Sequence, residues 1–90
     1  MIKIQKLSGD EWKVTVESGA TTEHRVRVSQ GDRDRFAAPG ASTEKLLEES
    51  FRFLLEREPN TSILPTFDLP VIQRYFPEYE TEIRRRLSAS

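Results

Sequence analysis

The 90-residue chain contains no cysteine, which excludes a disulfide framework, a thiolate nucleophile and cysteine-ligated zinc or iron–sulfur centres. It has a single histidine, His24, too few for a zinc site built from imidazoles. Long hydrophobic runs are missing as well. No stretch approaches the roughly 18 apolar residues of a membrane span. The opening Met1-Ile2-Lys3-Ile4-Gln5-Lys6 lacks the continuous apolar core of a secretory signal, so a cytoplasmic setting is expected. Charge of one sign is not in excess: 14 basic residues face 15 acidic ones, for a net charge of −1. No third of the chain is markedly basic, which disfavours a nucleic-acid-binding module. Neither G-x-x-x-x-G-K-[ST] nor G-x-G-x-x-G occurs, nor does the G-x-S-x-G of serine hydrolases. Repeats and low-complexity tracts are absent.

What is present fits one small folded domain spanning residues 1–90, with 36% hydrophobic and 32% charged residues. The first third alternates strictly. Ile2 and Ile4 interleave with Lys3 and Gln5. Trp12, Val14 and Val16 interleave with Lys13, Thr15 and Glu17. His24, Val26 and Val28 interleave with Glu23, Arg25 and Arg27. Period two gives strands with one apolar face. The turns Ser8-Gly9-Asp10 and Ser18-Gly19-Ala20 are short enough to force antiparallel neighbours. An apolar sheet face needs a cover, and the second half supplies helices.

Residues 30–42 read as a connector in which Asp32–Phe36 can form a short turn of helix. Ser42 or Thr43 then caps a helix that Pro59 stops. Its stripe is Leu47, Phe51, Leu54 and Leu55, and Glu48–Arg52 and Arg52–Glu56 pair on its outer face. Asp68 reads as the N-cap of a short helix. Ile72, Phe76, Tyr79, Ile83 and Leu87 keep helical spacing through Pro77, so one kinked helix or two abutting helices fit equally. The expected fold is α+β: a three-stranded antiparallel β-meander (about 2–7, 11–17 and 22–29) followed by two or three helices (about 43–58, 68–75 and 77–87) packed on one sheet face.

The run from Leu46 to Leu64, with Phe67-Asp68-Leu69-Pro70 and Tyr75-Phe76-Pro77-Glu78-Tyr79 after it, resembles small conserved hypothetical proteins of bacteria that have no assigned activity. The resemblance covers residues 46–79 and implies a stand-alone bacterial domain. It carries over no functional residue.

The residues offer little for catalysis. His24 lies on the apolar strand face and reads as a histidine at the core's edge with one backbone hydrogen bond, not as a base with an orienting partner. Asp32-Arg33-Asp34 begins a calcium-loop spacing, but Phe36 takes the next alternate position and the arginines repel a cation. Glu78, Glu80 and Glu82 read as a solvated face, with Glu80–Arg84 and Glu82–Arg86 paired. The expectation is therefore a protein without enzymatic activity, cofactor or metal, and with no membrane association, since its amphipathic helices carry acidic faces.

Elimination leaves protein binding. Phe67, Leu69, Val71, Tyr75 and Phe76 lie in an apolar segment too dense for one helix to bury, so part of it is expected to face solvent as a protein-binding surface. Leu69, Val71 and Tyr75 in particular fall off the inward stripe. The competing account makes the segment a lid that closes the core. A meander also has two edge strands that can pair across a two-fold axis, unless Lys3 and Lys6 protect the edge. The leading reading is a regulatory or adaptor module that binds another protein or itself. The alternative is a nucleic-acid-associated accessory protein using Arg25, Arg27 and Arg84–Arg86. A triple arginine at a helix C-terminus is also what the helix dipole favours.

Overall fold

A computed structural model describes residues 1–89. Strands β1 (Ile2–Ser8), β2 (Glu11–Ser18) and β3 (Ala20–Arg27) form the antiparallel meander. Gly9 and Gly19 make its two turns at φ 52° and 78°, a left-handed backbone that suits glycine. The register aligns Ile4, Val14 and His24 in one row and Lys6, Trp12 and Val26 in the next, all on the helix side.

The sheet has a fourth strand that the alternation did not announce. Thr66–Asp68 (β4) pairs parallel to β3, with Phe67 beside Val26 and Asp68 beside Arg27, giving the order β1-β2-β3-β4. Asp68 is thus a strand residue and not the expected N-cap. The next residue, Leu69, opens the turn to α3 and still bonds β3, its N–H donating to the Arg27 carbonyl at 3.0 Å.

All four helices precede or follow this strand. Helix α1 (Gln30–Phe36) is longer than the single turn expected. A reciprocal capping box starts it: Ser29 Oγ accepts from the Asp32 N–H, and the Asp32 carboxylate accepts from the Ser29 N–H. Helix α2 (Thr43–Leu55) is capped by Ser42 and ends before the expected Glu58. Its last carbonyls are closed by a turn in which the Arg57 and Glu58 N–H groups both donate to the Leu54 oxygen. After a 3₁₀ turn at Asn60–Ser62 and β4 come α3 (Val71–Tyr75) and α4 (Tyr79–Ala89). The last two are therefore separate helices, split at Phe76-Pro77-Glu78, each starting later than the spacing suggested.

One cluster forms the core. Trp12, Val14, Val16, Val26 and Val28 of the sheet side meet Leu46, Leu47, Phe51, Phe53 and Leu54 of α2, and α4 adds Tyr79, Ile83 and Leu87. Tyr79 stacks at a tilt on Phe36 and edge-on to Phe53, at centroid distances of 5.1 and 5.4 Å.

Outside the core, ion pairs tie the helices together. Arg86 of α4 bonds both to Glu82, one turn back, and to Glu56 just past α2. Glu56 thus turns to Arg86 and Arg57 instead of the Arg52 expected at helical spacing. Arg52 pairs with Glu48 and Glu49.

Candidate functional site

The five apolar residues singled out above divide by depth. Phe67 and Leu69 are buried, because β4 draws both into the edge of the core. That corrects the expectation that Leu69 points away from the core. Its position was judged by helical spacing, but it sits in the turn between β4 and α3, with its N–H held by the Arg27 carbonyl. Val71 and Phe76 are half-buried, and Tyr75 is 66% exposed.

The exposed and half-buried members border a groove of about 160 Å³. One wall is the end of α2 and the turn after it, Leu54 and Glu58. The opposite wall is α3, with Val71, Ile72, Tyr75 and Phe76. Ser62, Ile63 and Leu64 close the third side, and Phe67 is at the base. Leu64 and Tyr75 are large apolar residues left exposed on its border. Glu58 is the one charged residue in the lining and has no ion pair among the described residues.

The walls are held from behind. The Arg57 guanidinium lies 3.6 Å from the centre of the Phe53 ring, donates to the Phe53 carbonyl and pairs with Glu78 at 3.2 Å. Phe53 in turn meets Phe76 edge-on at 5.8 Å. Gln73 bridges α3 to α4: its amide donates to the Pro77 carbonyl, and its oxygen accepts from the Glu80 N–H.

The third side is anchored through His24. This side chain is buried, and both ring nitrogens are engaged at 2.8 Å, Nδ1 with the Leu64 carbonyl and Nε2 with Thr22 Oγ1. The carbonyl can only accept, so Nδ1 carries the hydrogen in that contact. Asn60, also buried, donates its amide to the Ala20 carbonyl at 2.9 Å and to Thr22 Oγ1 at 3.0 Å. The Asn60 amide and His24 Nε2 thus meet on the same Thr22 hydroxyl. Sequence could place His24 on the inner face, but its partner is a backbone oxygen far along the chain, and no residue type marks such an acceptor.

The groups considered for chemistry are placed apart from one another. Among the described residues no set of three His, Asp or Glu side chains is grouped to hold a metal ion. Arg85 and Arg86 are engaged by Glu82, and Arg84 approaches Glu80 at 3.8 Å. The Arg85 hydrogen bonds, followed by that from Arg86, hold the Glu82 carboxyl down at about 2. Arg25 lies 3.9 Å from Glu11, and Arg27 is registered beside Asp68. Among the described residues no helix is long and apolar enough to cross a membrane. Compared with known proteins, the chain matches no family model, no curated protein and no solved structure.

Proposed function

We propose that this protein is a non-catalytic protein-binding module of the regulatory or adaptor kind, and that the groove between α2 and α3 receives a short apolar segment of its partner. The observation that carries this reading is Tyr75, 66% exposed beside an apolar groove whose walls are cross-braced by Arg57, Gln73 and His24. A braced concave apolar site with an exposed aromatic on its border is the usual anchor geometry of a protein interface. Glu58 adds a chemical preference. A carboxylate without a cation at an apolar wall favours a segment that carries a lysine or arginine next to its apolar anchors. A catalytic role draws no support from His24, whose nitrogens are both spent on structure. A nucleic-acid role draws little from Arg84–Arg86, since Arg85 and Arg86 are engaged by Glu82 and Arg84 stands 3.8 Å from Glu80, which Arg35 also holds.

The test is selection from a random peptide library, followed by affinity measurement on the full chain. Peptides pairing an aromatic or aliphatic anchor with a basic residue are expected to be enriched. Tyr75→Ala should weaken them by about tenfold or more while leaving the urea midpoint unchanged. Glu58→Gln should reduce the preference for the basic residue. No enrichment, or binding indifferent to Tyr75→Ala, would overturn the reading.

A further inference from the structure

A different part of the molecule carries an inference that does not depend on the groove. Strand β1 is an edge of the sheet. Its free side can be read from the bonds at its start. The Met1 ammonium donates to the Glu17 carbonyl at 2.8 Å, and the Glu17 N–H donates to the Met1 carbonyl at 2.9 Å, so Met1 and Glu17 form a hydrogen-bonded pair. Hydrogen-bonded and non-bonded pairs alternate along an antiparallel ladder. Lys3 and Gln5 therefore spend their backbone groups on β2, and Ile2, Ile4 and Lys6 aim theirs away from it, toward the open edge. The register shifts between Lys6 and Ser8, which ends the regular edge at Lys6. The regular stretch Ile2–Lys6 has its midpoint at Ile4.

We infer that two copies of this chain join β1 to β1 as an antiparallel pair centred on Ile4, making one continuous sheet across a two-fold axis. In that register Ile4 faces Ile4 of the second copy, and Ile2 faces Lys6. Every outward N–H and C=O of Ile2, Ile4 and Lys6 then has a partner. A register one residue longer would need Ser8, beyond the shift, to satisfy Ile2. On the open sheet face Lys3 falls opposite Gln5, so no two lysines are opposed.

The charges on the helix side agree. Ile2 and Ile4 are only half-buried and line a cleft against the start of α2, whose border includes Glu44, Lys45 and Glu48. Lys45 pairs with Glu48 and Glu49 within the helix, while Glu44 has no ion pair among the described residues. Lys6 meets no carboxylate at ion-pair distance among the described residues either, and its ammonium sits 5.9 Å from the Trp12 ring centre. Pairing centred on Ile4 brings Lys6 of one copy beside Ile2 of the other, at the cleft that Glu44 borders. The same match recurs at the symmetry-related end. The strand edge thus brings a cation to a place where its twin has an unmet carboxylate.

Sedimentation velocity of the full chain, from micromolar to near-millimolar concentration, tests this. The expected result is a reversible species of twice the chain mass. Ile4→Pro removes an N–H that points away from β2, so the meander keeps its ladder while the dimer is lost. Lys6→Glu should weaken the dimer by about tenfold, and Lys6→Glu with Glu44→Lys should restore it. Circular dichroism on the Lys6→Glu protein separates loss of association from loss of fold. A wild-type chain that stays monomeric throughout the range overturns the inference. So does a dimer indifferent to both Ile4→Pro and Lys6→Glu. Dissociation by Tyr75→Ala in place of these would assign self-association to the groove and refute the strand-edge pairing.

Discussion

The hydroxyl of Tyr79 lies 2.6 Å from the hydroxyl of Ser50, and Ser50 Oγ is also 2.6 Å from the Leu46 carbonyl. The carbonyl can only accept, so the serine hydrogen goes to Leu46 and the phenol donates to the serine oxygen. This two-step relay carries a hydrogen bond from α4 through the dry core to the backbone of α2. Burial, the main influence, pushes the Tyr79 phenol well above its ordinary value, so it stays protonated as a donor.

The two hydroxyls differ in what their removal leaves behind. Tyr79→Phe removes one donor and leaves Ser50 bonded to Leu46, a loss of about 1 kcal/mol. Ser50→Ala strands the buried phenol without an acceptor and should cost about 1–3 kcal/mol. Urea unfolding of both variants checks the order. In alkaline spectrophotometric titration, Tyr79 should ionise only as the protein unfolds.

Asn60 is the second buried polar lock. Its amide gathers the end of the β2–β3 hairpin and supports the hydroxyl that His24 uses. Asn60→Ala should destabilise by about 1–3 kcal/mol, because the Ala20 carbonyl and the Thr22 hydroxyl lose a donor at a partly buried site. Asn60→Asp should cost at least as much, since a carboxylate oxygen would face the Ala20 carbonyl. Chemical denaturation gives both values.

Core and border of the groove should separate cleanly. Leu54→Ala and Leu69→Ala each open a cavity and should cost about 2–5 kcal/mol. Tyr75→Ala at the exposed border should stay within about 0.5 kcal/mol of wild type. Equal losses at Leu69 and Tyr75 would show that the whole segment is a lid.

Acid should find the α2–α4 contact. Glu82 is held at about 2 against an ordinary value of 4.5, by hydrogen bonds first from Arg85 and then from Arg86. Glu56 is lowered chiefly by its hydrogen bond from Arg86. A carboxyl depressed by folding adds stability above its unfolded value and gives it up as pH falls through the folded value. The urea midpoint should therefore fall between pH 4.5 and about 2. Glu82→Gln should flatten that slope, and high salt should reduce it in part, by screening the exposed Arg85–Glu82 and Arg86–Glu56 pairs more than the half-buried Arg86–Glu82 pair.

The meander was legible because each strand is long enough for alternation to repeat, from Ile2–Ile4 through Trp12–Val14–Val16 to His24–Val26–Val28. β4 was not. A strand of three residues, Thr66–Asp68, is too short to show a period, and Asp68 followed by Leu-Pro imitates a helix start. A parallel partner also leaves no turn signal, since its connection is long. The groove was half legible. Apolar density between Ile63 and Tyr79 announced a surplus, but only the strand pairing decides that Leu69 goes inward and Tyr75 outward. Glu58 gave no signal, because its place on the wall comes from the turn that ends α2.

The pairing of β4 with β3 also bears on which part of the sheet opens first. The meander closes through turns of neighbouring residues, whereas Arg25 and Thr66 meet across about forty residues of intervening chain, which carries α1 and α2. Closing so long a loop costs chain entropy, and a three-residue edge strand returns few ladder bonds, so β4 is expected to open more readily than the central strand β2. The groove's base, Phe67, rides on this short strand. Amide exchange should accordingly be faster at residues 66–69 than in β2, and a ligand seated in the groove should slow it by bridging β4 to the end of α2.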